Sequence, residues 1–343
     1  MIHARLAEIR ALRELPNATR NKILPLIRVR PWLNAKSLDA VWERISEAFP
    51  ERWFGLDLDA TRNLPSKDTE AYRDFCALFN PTDGFANYYS AVDQNEWAIP
   101  VLRSAGFGFP DLGRQLEHIV NLDRGLIVRV EPLRAANLSD AAIAINEAVP
   151  ENVLFVFDCG WGRDILSQAA ACVGHIEALL DIHENFEFVV GGSSFPNSFA
   201  KQGERIEIGM VERQLFQEVR RNLNRGELFY GDWGSTRPPS DPVPMKNVAR
   251  IDFALPGQWI AHRSAGEEDY EELAEDVLAD PLWTSGLGIW GEYMIESTAA
   301  GLEPAIKSPA MAAAVRVNLH MHIQANFDDP TNMVVADEPF DDL

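Results

Sequence analysis

The feature that most constrains this chain is a repeated alternation. Short runs of apolar, β-branched and aromatic residues end in polar side chains, and most are followed by a capped amphipathic stretch. Eight such runs are legible: Ile23–Arg30, Trp53–Asp59, Ala98–Arg103, Leu126–Glu131, Val153–Asp158, Phe186–Ser193, Glu227–Asp232 and Trp259–Arg263. Their length and residue types predict strands. Between them, Ser37–Ala48, Thr69–Phe79, Asp111–Val120, Ser139–Val149, Arg163–Leu180 and Glu212–Leu223 place apolar residues at helical spacing.

Strand and helix in alternation imply parallel strands joined by crossovers, because a hairpin turn cannot reach a parallel neighbour. Eight strands before residue 264 fit a (β/α)8 TIM-like barrel, whose usual length is about 250 residues. The competing doubly wound sheet calls for a Gly-rich turn after its first strand, where this chain reads Arg30-Pro31-Trp32-Leu33-Asn34. The expectation is therefore an α/β barrel with an irregular seventh and eighth unit and C-terminal helices. The proline-rich segment Thr236–Val243 excludes a seventh crossover helix. Ala249–Leu255 and Trp259–Arg263 flank Pro256-Gly257-Gln258, which reads as a hairpin feeding the last barrel strand. Glu267–Ala279 and Trp290–Ala300 read as helices, and Ala312–Gln324 as an apolar stretch that packs back. One domain is expected over residues 1–327, followed by an acidic flexible tail over 328–343.

Charge narrows the partners. Lys and Arg total 31 against 52 Asp and Glu, a net charge of −21, which argues against non-specific binding to nucleic-acid phosphates or anionic lipid. Cys76, Cys159 and Cys172 lack paired C-x-x-C spacing, so neither a disulfide framework nor a structural zinc site is indicated. No stretch approaches the roughly 18 apolar residues of a membrane span. A cytoplasmic location is expected.

In barrels of this type the site lies at the carboxyl ends of the strands. There the chain presents Arg28 and Arg30, Asp57 and Asp59, Arg103, Arg129 and Glu131, Asp158, Gly191-Gly192-Ser193-Ser194, Tyr230 and Asp232, and His262 and Arg263. Residues two apart share a strand face, so the charged pairs are expected to point into the mouth, with Val29, Leu56, Leu58, Val128 and Val130 toward the helices. Two readings of this set stand. One is a structural ion-pair layer. The other is a polar pocket in which Arg28, Arg30, Arg103, Arg129 and Arg263 hold a phosphate or carboxylate, while Asp57, Glu131, Asp158 and Asp232 act as acids and bases. Gly192 and Ser193 could offer backbone N–H groups to an anion or form a tight turn. Trp233 could stack on a ligand ring or pack within a loop. Asp57-Leu58-Asp59 has a spacing that suits Mg²⁺ and also arises from simple strand alternation. His320 and His322 would chelate together on a strand and diverge on a helix.

Further motifs are Ile23-Leu24-Pro25-Leu26-Ile27-Arg28, Ile99-Pro100-Val101, Ala249-Arg250-Ile251 with Trp259-Ile260-Ala261-His262-Arg263, Trp290-Gly291-Glu292-Tyr293-Met294-Ile295 and Val317-Asn318-Leu319-His320. Across most of its length the chain resembles the phage-type beta proteins, the "beta family protein" group. The resemblance implies a single cytoplasmic barrel-like domain in a phage or phage-defence setting. Members often end in paired histidines, where this chain reads Leu319-His320-Met321-His322, and no catalytic residue carries over.

Two functions follow as expectations. One is a hydrolase or lyase, or a binding protein, for a small anionic phosphate- or nucleotide-like ligand, with Mg²⁺ as its candidate cofactor. The other is a protein-interaction module that meets a basic partner through its acidic surface.

Overall fold

Strand residues alternate between two environments, and that alternation sets the architecture. The computed structural model of the protein describes residues 1–59, 69–104, 108–135, 137–148, 151–196, 198–199, 203–238, 248–264, 270–329 and 333–334. Its strands are β1 (Ile2–His3), β2 (Leu26–Val29), β3 (Phe54–Leu58), β4 (Ala98–Pro100), β5 (Leu126–Val130), β6 (Val153–Trp161), β7 (Glu187–Ser193), β8 (Arg205–Gly209), β9 (Glu227–Asp232), β10 (Arg250–Leu255) and β11 (Gln258–Arg263). The helices are α1 (Leu6–Arg13), α2 (Asn17–Arg20), α3 (Asp39–Ala48), α4 (Glu70–Ala77), α5 (Ala86–Asp93), α6 (Leu112–Leu122), α7 (Leu138–Ala148), α8 (Ile165–Leu180), α9 (Glu212–Asn222), α10 (Tyr270–Leu278), α11 (Trp290–Ala299) and α12 (Pro309–Ala325).

Two four-stranded parallel sheets run β1-β2-β3-β4 and β5-β6-β7-β9, and a third sheet, β10-β11-β8, is antiparallel. Ile27, Val29, Leu56, Leu58, Val128, Val130, Phe155 and Phe157 face the surrounding helices in the largest core. The opposite faces of the two parallel sheets meet in a smaller core of Leu26, Val101, Ile127 and Val156. Gly55 makes that approach possible: a side chain there would overlap Ile127 and Leu26. One pleat further along the same inner faces stand Arg28, Asp57 and Arg129, with Arg28 paired in register with Asp57.

The closed (β/α)8 barrel expected from sequence is corrected by this topology. Among the described residues the ladders of the two parallel sheets are joined by one isolated bridge, Val101 with Ile127. Pro100 has no N–H to donate, and the Val101 N–H goes to Tyr88 Oη at 2.8 Å, so the ladder dies out at that edge. At the other edge β1 is two residues long, and the Met1 nitrogen donates to the Asp232 carbonyl at 2.6 Å. The run expected as the eighth barrel strand, Trp259–Arg263, instead pairs antiparallel with β10 across the Pro256-Gly257 turn and with β8. A two-residue connection permits only an antiparallel neighbour. This third sheet has its own core of Ile251, Phe253, Trp259 and Ile260 packed on α10, α11 and α12. Most of the tail and most of Thr236–Val243 lie outside the described residues. Among those residues no helix is long and apolar enough to cross a membrane.

Candidate functional site

Asp57 is the centre of the charged layer. It sits on β3 with 1% of its surface exposed, between an arginine from the preceding strand and two from the strands that follow. Arg103 Nη1 donates to Oδ1 at 2.7 Å, Arg129 Nε donates to Oδ2 at 2.9 Å, and Arg28 Nε lies 3.4 Å from Oδ2. The Leu58 N–H adds a bond to Oδ1 at 2.7 Å. Burial alone would push this carboxyl upward, but the three guanidiniums and the Leu58 N–H hold it well below the usual carboxylate range.

Arg129 joins this group to the second sheet, because its Nη1 donates to Asp158 Oδ2 at 3.1 Å. Asp158 Oδ1 receives the Trp233 indole N–H and the Gly160 N–H, each at 3.0 Å. Burial works against the Arg129 charge, yet Asp57 and Asp158 together raise it above the ordinary guanidinium value. Arg28 has poorer compensation, and burial lowers it despite Asp57. The Arg28 guanidinium also lies over the Trp233 ring at 5.5 Å, and Arg103 lies over Tyr88 at 5.0 Å.

A second group adjoins the first, two residues further along the chain, just past the ends of β2 and β3. Asp59, fully buried, has His3 Nδ1 at 3.5 Å, Arg30 Nη1 at 3.8 Å and Arg5 Nη2 at 4.0 Å from its Oδ2. His3 Nε2 lies 3.1 Å from the Arg237 carbonyl oxygen.

Other expected site residues fall elsewhere. Tyr230 and Asp232 face α9 and α12 instead of the space between the sheets: Tyr230 packs on Phe216, and Asp232 Oδ2 takes the Tyr230 hydroxyl and His320 Nε2, each at 2.8 Å. Burial would raise Asp232, but His320 holds it well below the usual range. Trp233, next along the chain, takes the inward position. It is 1% exposed and, of the two readings, it takes the packing one, against His3 and Arg28. Glu131 is exposed and pairs with Arg134 at 3.0 Å. Arg263 belongs to the antiparallel sheet and donates to the Phe199 carbonyl at 3.3 Å.

The glycine-serine turn is likewise committed internally. Gly191 has no room for a side chain because the Gly231 backbone lies against it, and Gly192 approaches the Gly160 carbonyl. Ser193 Oγ donates to the Thr236 carbonyl, and the Ser194 N–H and hydroxyl both go to Glu212. Close strand packing explains these glycines without an anion.

The donor set does not suit a metal ion. Asp57 is saturated by guanidiniums, which compete with any cation for its oxygens, and Asp59 heads an adjoining ion-pair group with His3, Arg30 and Arg5. His320 and His322 lie on helix α12 and diverge, one to Asp232 and the other to Thr19. Among the described residues no group of three or more His, Cys, Asp or Glu could hold a metal.

Sequence reading missed His3, Arg5 and Arg237, which flank runs too short or too proline-rich to signal a strand end. It also missed Trp161, at the end of β6, which is 54% exposed while its Nε1 donates to the Phe195 carbonyl at 2.8 Å.

Together these features define a class: an α/β protein of two facing parallel sheets, with buried guanidinium–carboxylate clusters at the carboxyl ends of the strands. The chain belongs to the Beta protein family, whose match covers residues 1–326. It is 27% identical to Protein beta of Enterobacteria phage P4 over 342 residues, which is 96% of this chain and 92% of that relative. No solved structure matches it.

Proposed function

We propose that this Beta-family protein binds a small anionic, nucleotide-like ligand over the carboxyl ends of its parallel strands. The observation that carries the reading is Arg129. It bridges the two sheets through Asp57 and Asp158, leaves 20% of its side chain exposed, and keeps Nη2 without an acceptor among the described residues. A guanidinium fixed on one side by two carboxylates is preorganised to present its remaining N–H groups to a ligand oxygen.

Trp161 supports the nucleotide-like part. It stands three residues beyond Asp158, and its ring is held by one hydrogen bond with half its surface open. A fixed, open indole suits stacking on a base.

Binding is favoured over acid–base turnover by the state of the carboxylates. Asp57 and Asp232, both held well below the usual range, are weak bases near neutral pH, and general-base catalysis works best when the pKa lies near the operating pH.

Thermal unfolding across a panel of nucleotides, phosphosugars and inorganic phosphates, with and without Mg²⁺, tests this. A ligand at 100 times its Kd adds about 2.7 kcal/mol. Arg129→Gln is expected to abolish the rise for nucleotides, and Trp161→Ala to weaken nucleotides more than phosphosugars. If no compound raises the unfolding temperature, the reading falls. If stabilisation is indifferent to both substitutions, the site lies elsewhere.

A further inference from the structure

We propose that Arg5, Arg30 and Arg237 form a grip for the terminal phosphoryl dianion of a phosphate monoester. This site adjoins the Asp57 group and does not require that group to take part.

The three arginines come from the ends of three strands in the two parallel sheets. Arg5 follows β1, Arg30 is the residue after β2, and Arg237 follows β9. Arg5 and Arg30 approach the same Asp59 oxygen at 4.0 and 3.8 Å, beyond the roughly 2.7–3.2 Å of an N–H···O bond. None of the three guanidiniums donates a hydrogen bond to any described residue. Elsewhere the half-buried Arg124 donates to the carbonyls of Val92, Asn95 and Asp93, and Arg129 to two carboxylates. Arg30 and Arg237 are half-buried and Arg5 is 46% exposed, so among the described residues no protein acceptor is in hydrogen-bond reach where water is already partly excluded.

Electrostatics agree with the geometry. Burial first, and then the Arg5 charge, lower both Arg30 and Arg237 from the ordinary guanidinium value. Arginine still does not deprotonate, so the repulsion calls for a counter-charge. Asp59 supplies one at close range, and Glu8 acts on Arg30 from further off. Among the described residues the three guanidiniums outnumber Asp59 and the more distant Glu8, a local surplus of positive charge in a chain whose net charge is −21. A dianion with three acceptor oxygens matches that surplus, and forked guanidinium donors match its geometry.

Calorimetric titration of the full chain at fixed ionic strength, with methyl phosphate, dimethyl phosphate and inorganic phosphate, tests the inference. Wild type is expected to bind methyl phosphate and inorganic phosphate, and dimethyl phosphate at least tenfold more weakly. Each of Arg30→Gln and Arg237→Gln removes a charged hydrogen bond and is expected to weaken methyl phosphate about tenfold or more. Arg5→Gln, at a more exposed position, gives a milder loss in a variant whose fold is least disturbed. Arg114→Gln, at an exposed arginine paired with Glu117, is expected to match wild type. Asp59→Asn moves the other way and tightens binding. Absent binding by wild type, or equal binding by wild type and the Arg5, Arg30 and Arg237 variants, overturns the inference. Nucleotide stabilisation lost in Arg129→Gln, together with methyl phosphate binding unchanged in Arg30→Gln and Arg237→Gln, would overturn it while leaving the proposed function standing.

Discussion

Asp57 is the carboxylate whose loss should be felt most, because three guanidiniums from three strands converge on it in a buried place. Breaking such a pair from one side leaves uncompensated charge, at a cost of about 3–5 kcal/mol. Asp57→Asn is expected to cost that much near neutral pH. Because the folded carboxyl is depressed, its stabilisation is fully present above the unfolded value of about 3.9 and is lost as pH falls below it. The gap between wild type and Asp57→Asn in urea unfolding should therefore narrow below about pH 4; a constant gap would refute the assignment. His322 behaves differently. Burial lowers it, and its Nδ1 and Nε2 meet Thr19 Oγ1 and the Met333 carbonyl at 2.8 and 2.7 Å, a pattern that suits a neutral ring with one acceptor and one donor. Its contribution is complete above the unfolded value of about 6.5 and is lost as pH falls below it. Wild type should lose more stability between pH 7 and pH 5 than His322→Asn, and parallel urea-unfolding profiles would show that His322 is not the cause. Arg28, Asp57, Arg103, Arg129 and Asp158 were legible in the sequence as one set because each is a charged residue closing an apolar run, where parallel strands bring their carboxyl ends together. Asp232 was read into the same set but faces Tyr230 and His320, because alternation cannot say which face is inner, and Trp233 took that place.

The elements read best where the run is apolar and most of its residues are buried on both faces. β2, β3, β5, β6, β7 and β9 lie within the expected runs or, for β6, run slightly beyond. β1, with two residues, and β8, with exposed Arg205 and Glu207 interrupting its apolar positions, carry no such signal. Sheet membership was less legible still, because pairing at the β4 edge depends on Pro100 and on a Tyr88 hydroxyl that folds in from α5. Glycines give a direct test at this scale. The pairing of β6 with β7 shifts register between Asp158 and Trp161, with Gly160 at φ +65° in the left-handed region. A Cβ at Gly160 would touch nothing within 4 Å, so Gly160→Ala should cost only the backbone term, about 1–2 kcal/mol. At Gly191 a Cβ would overlap the Gly231 backbone, so β9 must move. Gly191→Ala is therefore expected to lower the melting temperature several-fold more than Gly160→Ala. Equal losses would mean that β7 and β9 have slack that the structure denies them.

At the scale of the whole molecule, α12 decides whether the parallel and antiparallel parts unfold together. It is buried along nearly all of Ala312–Gln324, and its polar residues reach outward to different elements. Arg316 Nη1 donates to Asp252 on β10 at 2.8 Å, and His320 meets Asp232 on β9. Gln324 Oε1 takes the Arg213 Nε–H of α9 at 2.8 Å. Asn318, fully buried, donates to the Ala11 carbonyl of α1 and accepts from the Gly291 N–H of α11, both at 3.0 Å. Loss of the Asn318 side chain strands a buried acceptor and a buried donor, at about 1–3 kcal/mol each. Because those groups lie on opposite sides of the helix contact, Asn318→Ala should weaken both parts at once. Hydrogen exchange along a urea series reads this directly. Peptides from β5–β7 and from β10–β11 are expected to lose protection at one common urea concentration in wild type, and at one lower common concentration in Asn318→Ala. Single-step unfolding is usual for chains under about 150 residues, so in this longer chain it would mark α12 as the element that couples the sheets. If β10–β11 opens first in wild type, the antiparallel sheet is an independent unit and α12 belongs energetically to the parallel sheets alone.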